Sequence, residues 1–150
     1  MILQISEIQN KDNIIEVVCS TSKPDFKGDR IYIQGLDFTR YMKNPVFLLE
    51  HNKKRLPIGK TIALDVQPDK LIAKVEFWVN PQPVETWSEL DKECHSILEM
   101  YKSGFMKGIS LSTNDLEYYT NSFGGEDIIK AELIEISAVT IPMNEDCLKK

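Results

Sequence analysis

Phe105-Met106-Lys107-Gly108-Ile109-Ser110-Leu111-Ser112 reads as a strand, with Met106, Gly108, Ser110 and Ser112 on one face and Phe105, Lys107, Ile109 and Leu111 on the other. The first face is small and open, and it carries a serine between two large aliphatic residues. Just before it, Trp87, Leu90, Cys94, Ile97, Leu98 and Tyr101 recur at three- and four-residue steps and Gly104 stands where a helix would end, so one long amphipathic helix is expected over about 85–102. Beyond it, Asn121-Ser122-Phe123-Gly124-Gly125 is a turn, and a last strand runs over 128–141 to Pro142.

Upstream the same alternation recurs. Residues 58–66 and 71–79 flank Gln67-Pro68-Asp69-Lys70 as a hairpin, and Val46-Phe47-Leu48-Leu49 is a short buried strand ending at Glu50-His51. Asn44-Pro45 separates that strand from a short helix beginning near Leu36. Residues 2–9 and 13–20, either side of an Asn- and Asp-rich turn, suggest an opening hairpin. Six to eight short strands with one long helix point to a mainly β, α+β fold: a compact, mostly antiparallel barrel or sandwich decorated by helices.

The 150 residues suit one domain spanning 1–150, and 42% hydrophobic with 27% charged residues is ordinary globular composition. A net charge of −5, with Lys53-Lys54-Arg55 as the densest basic cluster, argues against direct nucleic-acid binding. No apolar run is long enough for a membrane span, and the first residues lack the basic and apolar regions of a signal peptide. Cys19, Cys94 and Cys147, odd in number and irregular in spacing, read as reduced thiols of a cytosolic protein. Without a glycine-rich phosphate loop, paired cysteines or a histidine cluster, neither a metal nor an organic cofactor is expected.

Three residue types carry candidate chemistry. His51 stands where a buried strand reaches the surface, whereas His95 lies off the apolar face of the helix and reads as solvated. Ser110 needs only a neighbouring base to become a nucleophile. Glu132 and Glu135 both sit in apolar company in the last strand, where a carboxylate requires a partner. Alternation places Glu135 with Leu133 and Ser137, and Glu132 with Ile134 and Ile136, without selecting either as the partner of a histidine. Taken alone, His51 and Ser110 read first as an ordinary strand-end histidine and a serine satisfied within the sheet, and either glutamate reads as a sheet-edge carboxylate.

The order of these segments is more specific than any one of them. Gly28-Asp29, then Asn44-Pro45-Val46-Phe47-Leu48-Leu49-Glu50-His51, Pro57-Ile58-Gly59, Lys107-Gly108-Ile109-Ser110-Leu111-Ser112 and finally residues 131–142 with their Glu-x-Ser-x-Val-x-x-Pro ending resemble the prohead serine proteases of tailed bacteriophages, over roughly residues 15–147. The resemblance implies a closed β barrel like that of the herpesvirus maturation protease, with Ser110 as nucleophile, His51 as general base and Glu135 as acidic partner. It implies a cofactor-independent endopeptidase inside the phage head in the host cytoplasm, cutting the internal scaffold protein, the extension of the major capsid protein and itself. It also leaves self-association open, although core packing explains the apolar stripe of the helix more simply. The family commonly shows Ser-x-Gly where this chain has Ser110-Leu111-Ser112. Ser112 is therefore a rival nucleophile, and a catalytically silent assembly module of the phage head is the alternative reading.

Overall fold

The computed structural model describes residues 1–4 and 11–150. Its elements are β1 (Ile2–Gln4), β2 (Ile14–Thr21), β3 (Arg30–Ile31), β4 (Leu36–Asp37), α1 (Thr39–Lys43), β5 (Val46–Leu49), β6 (Gly59–Val66), β7 (Lys70–Phe77), α2 (Glu89–Ser103), β8 (Ile109–Thr120) and β9 (Glu126–Ala138), with short 3-10 turns at Ile33–Gly35 and Val84–Thr86. All nine strands among the described residues join one sheet, in the order β2-β7-β6-β5-β9-β3, with β1 on β6 and both β4 and β8 on β9. A sandwich is thereby excluded.

The expected β6–β7 hairpin forms, with Val66 opposite Leu71. The expected opening hairpin does not appear among the described residues. Ile2–Gln4 pairs with β6 instead, and the rest of that run, residues 5–9, lies outside them. The sheet is mixed, because β3, β4 and β5 all run parallel to β9 while the remaining pairs are antiparallel. The long C-terminal hairpin thus serves as the spine on which three earlier segments dock.

Residues 147–150 close most of the remaining gap. On one side Val18 N–H donates to the Leu148 carbonyl at 2.9 Å and Lys150 N–H to that of Glu16 at 2.9 Å; on the other, Ile109 N–H donates to Cys147 at 2.9 Å and Lys149 N–H to Lys107 at 2.8 Å. The sheet so curls into a nearly closed barrel. Inside it lie Val17, Phe47, Leu64, Leu71, Ala73, Phe77, Leu133 and Ile136, all buried. Phe47 meets the edge of Phe77 at 5.5 Å between ring centres.

Helix α2 forms where the apolar stripe and Gly104 place it, but starts at Glu89, a few residues after the expected 85, at a cap that the stripe did not reveal. The Ser88 hydroxyl accepts from Asp91 N–H while the Asp91 carboxylate accepts from Ser88 N–H, and Gly104 ends the helix at φ 82°. Its stripe of Cys94, Ile97, Leu98 and Tyr101 packs into the core. A side chain such as Leu98, fully buried, stabilises by about 1.5–3 kcal/mol. The buried Tyr101 hydroxyl then donates to the Gly108 carbonyl at 2.5 Å, which pins the chain as it enters β8. Gly108 itself tolerates no side chain, since a Cβ there would lie 2.4 Å from the Val139 carbonyl oxygen. Gly108→Ala is expected to destabilise the fold by about 2–4 kcal/mol through that backbone clash, read as a lower urea midpoint with an unchanged slope.

Candidate active site

The two long strands bring the candidate residues to one place through their register. Ser110 stands opposite Ser137, and Ser112 opposite Glu135. Directly opposed residues of an antiparallel pair project from the same face, so all four share one side of the sheet. That face is the outer one only because the register slips between Ser112 and Thr113, which pairs with Leu133 and leaves Ile134 as an extra residue in β9. The core positions accordingly run Ala131, Leu133 and then Ile136, Ala138, a change of parity across the bulge. Unbroken alternation, as the sequence suggests, would have put Glu135 on the inward face of Leu133; the bulge turns it out of the barrel.

His51 reaches the same spot from β5. This strand runs parallel to β9 with Leu48 beside Ser137 and Leu49 beside Ala138, so its end lies next to the two polar residues of β9. The chain then passes through two residues with left-handed backbone, Glu50 at φ 51° and His51 at φ 56°. The turn is held by Glu50 N–H to the Ala138 carbonyl at 2.8 Å and Asn52 N–H to that of Leu49 at 3.0 Å. Consecutive non-glycine residues in this region are uncommon and store strain. Upstream, the Tyr41 hydroxyl fastens β5 by bonding the Val46 carbonyl at 3.0 Å and Thr61 Oγ1 at 2.7 Å.

Glu135 is 2% exposed, and each of its oxygens is occupied. Oε1 bonds His51 Nδ1 and accepts from the Ser112 hydroxyl at 2.6 Å; Oε2 accepts from the Ser137 hydroxyl at 2.5 Å. Ser137 in turn accepts the His51 backbone N–H at 3.2 Å, so one buried hydroxyl holds both the carboxylate and the turn that presents the imidazole. Burial by itself would raise the Glu135 pKa, but the hydrogen bonds from His51, Ser112 and Ser137 and the charge of the ring outweigh it and bring the carboxyl below its usual value. The hydrogen bond to Glu135 lifts the His51 pKa, partial burial opposes this, and the charges of Glu135 and Glu50 add to the lift. With an ionised carboxylate as its partner, Nδ1 carries the proton, and Nε2 of the neutral ring is left as the acceptor.

The structure therefore brings His51 and Glu135 together and adds Ser112, whose Oγ lies 3.3 Å from Nδ1. Ser110 is half-buried on the same face, one alternation from Ser112, and makes no hydrogen bond to the ring. Glu132, which periodicity could not separate from Glu135, instead accepts from the Asn114 amide at 2.8 Å. His95 is exposed and meets Trp87 edge-on at 5.5 Å, as its place off the helix stripe implies. Sequence reasoning missed the part of Ser137, although its position two residues after Glu135 was the available signal. No cluster of three or more potential metal-ligating side chains occurs among the described residues.

No family model and no solved structure matches this chain. The prohead protease of Escherichia phage T5 is similar to it, with 28% identity over 145 residues, taking in 92% of this chain and 63% of the relative. The chain thus spans somewhat less than two thirds of the length of that relative.

Two outcomes follow from the network. Ser137→Ala leaves a buried carboxylate oxygen and a backbone N–H each without a partner, and is expected to cost about 1–3 kcal/mol in chemical denaturation. The pH dependence has a sign at each end. The contribution of Glu135, whose folded pKa is lowered, is present above 4.5 and is lost as pH falls through the lowered value; that of His51, whose folded pKa is raised, is full below 6.5 and is lost as pH rises through the raised value. Denaturation of Glu135→Gln beside the wild type should show the largest gap between those two ordinary values.

Proposed function

We propose that this chain is a serine endopeptidase of phage capsid maturation in which Ser110 attacks the scissile carbonyl, His51 is the general base and Glu135 orients the imidazole. The observation that carries the reading is the buried Glu135, ionised and paired with a surface-reaching histidine beside the strand that bears Ser110. Similarity to a prohead protease supports the biological setting. The substrates are then the internal scaffold protein and the extension of the major capsid protein, cut inside the prohead in the host, together with the protease itself.

The chemistry needs no cofactor. The Ser110 hydroxyl gives its proton to His51 Nε2 as it attacks, and the ring passes that proton to the leaving amine; water then repeats the cycle on the acyl-enzyme. Glu135 holds Nδ1–H, fixing the tautomer, and stabilises the imidazolium that forms. Ser112 is a poorer nucleophile in this scheme for a geometric reason. Its hydroxyl already donates to Glu135 on the Nδ1 side of the ring, away from the nitrogen that must accept a proton. Its part is to hold the carboxylate.

The absence of a Ser110–His51 hydrogen bond, with Ser112 at the glycine position of the resembling family, favours a second reading: a protease-like assembly module of the phage head without activity. An active-site-directed fluorophosphonate separates the two. Labelling at Ser110 supports the enzyme, and an unlabelled, folded protein supports the module. For the enzyme, Ser110→Ala should abolish scaffold cleavage, a loss of at least about 10³-fold, while Ser112→Ala retains measurable cleavage. Because His51 must be neutral to act and its pKa is raised by Glu135, the acidic limb of kcat/KM should lie above the ordinary histidine value of 6.5 and move down in Glu135→Gln, with a rate loss of about 10²–10⁴-fold.

A further inference from the structure

The turn that presents His51 has a second fastening, outside the buried network. The carboxylate of Glu50 reaches over the residues that leave β9 and accepts from Thr140 twice, from its N–H at 2.6 Å and from its hydroxyl at 2.7 Å. Glu50 N–H meanwhile bonds the Ala138 carbonyl at 2.8 Å. Main chain and side chain of one residue therefore grip β9 and its continuation at positions 138 and 140. Glu135 lies three residues before the first of these.

Two left-handed residues in succession are an unfavourable backbone for a glutamate and a histidine, and such a turn persists only where its surroundings over-determine it. If the grip is released, the turn can relax, and the direction of the His51 ring relaxes with it. A displacement of about 1 Å at a catalytic group is enough to cost up to about 10²-fold in rate. An ordinary surface glutamate would point to water, whereas this one closes two charge-assisted hydrogen bonds at an exposed site where a solvated carboxylate has no need of them.

We propose that Glu50 is a positioning residue: through Thr140 it clamps the strained turn bearing His51 to the continuation of the strand bearing Glu135, so that base and acid are held in one frame. The inference rests on the reading of His51 as the general base. It assigns Glu50 no contact with substrate.

Three variants at one position test it. Glu50→Gln removes the charge but keeps an acceptor oxygen for Thr140; Glu50→Ala removes both; Glu50→Gly removes both but relaxes the left-handed backbone. The rate of fluorophosphonate labelling at Ser110 is compared with the titration of the His51 ring by NMR, which His95, the only other histidine, does not obscure. The clamp predicts that the Ala variant labels about tenfold more slowly and that its His51 midpoint falls further toward 6.5 than in the Gln variant, which recovers most of the rate, while the Gly variant, with its backbone strain relieved, labels faster than Ala. Equal behaviour of Gln and Ala would overturn the proposal by reducing Glu50 to a charge effect. A Gly variant no faster than the Ala variant would overturn it by showing that the left-handed backbone is not what the clamp holds. A wild type that is not labelled at all refutes the protease reading instead, and the titrations then decide the clamp on their own.

Discussion

A carboxylate that is 2% exposed has to be supplied with donors, and that requirement at Glu135 governs the arrangement around it. Three donors meet it: the His51 ring and the hydroxyls of Ser112 and Ser137. They come from three strands or strand ends, so the same contacts that keep the charge in place also hold β5, β8 and β9 in mutual register. Removing one partner of a buried pair commonly costs about 3–5 kcal/mol, and somewhat less is expected here because the His51 side chain is 37% exposed and partly screened. An arrangement with this much at stake is a poor place for substitutions and a good place for a pre-oriented imidazole.

The rest of the fold delivers those donors. β5 lies parallel to β9, which brings its end, and hence His51, beside Ser137. The extra residue at Ile134 changes the parity of β9 and takes Glu135 from the core face to the outer one. Helix α2 contributes through Tyr101, whose hydroxyl fastens the carbonyl of Gly108 where β8 begins. The loop after His51 is tied to the same helix by Arg55, which bonds both oxygens of Glu93 at 3.0 and 2.8 Å. Fold and site are thus not separable layers: the core anchors the elements, and the elements meet at one carboxylate.

Much of this was legible in the chain. The hairpin at 58–79, the helix with its Gly104 end, and the short strand that runs into Glu50-His51 are local, and local signals are written in a few neighbouring residues. Pairing across long separations was less accessible. Ile2–Gln4 pairs with β6 because a sheet edge was available there, and nothing in its own sequence states which edge it will find. The three parallel pairings on β9 are likewise settled by where the connecting segments can reach.

The sequence by itself determined the mainly β class, the single long helix and the short set of polar residues in apolar strands, because alternation and capping act over a few bonds. The tertiary structure alone decided between Glu132 and Glu135 on physical grounds, brought Ser112 and Ser137 into the network, and set Glu50 against Thr140 beside it. The reason is the bulge at Ile134: one inserted residue inverts the facing of every side chain beyond it, and its position depends on the partner strand, which the alternation of a single strand cannot report.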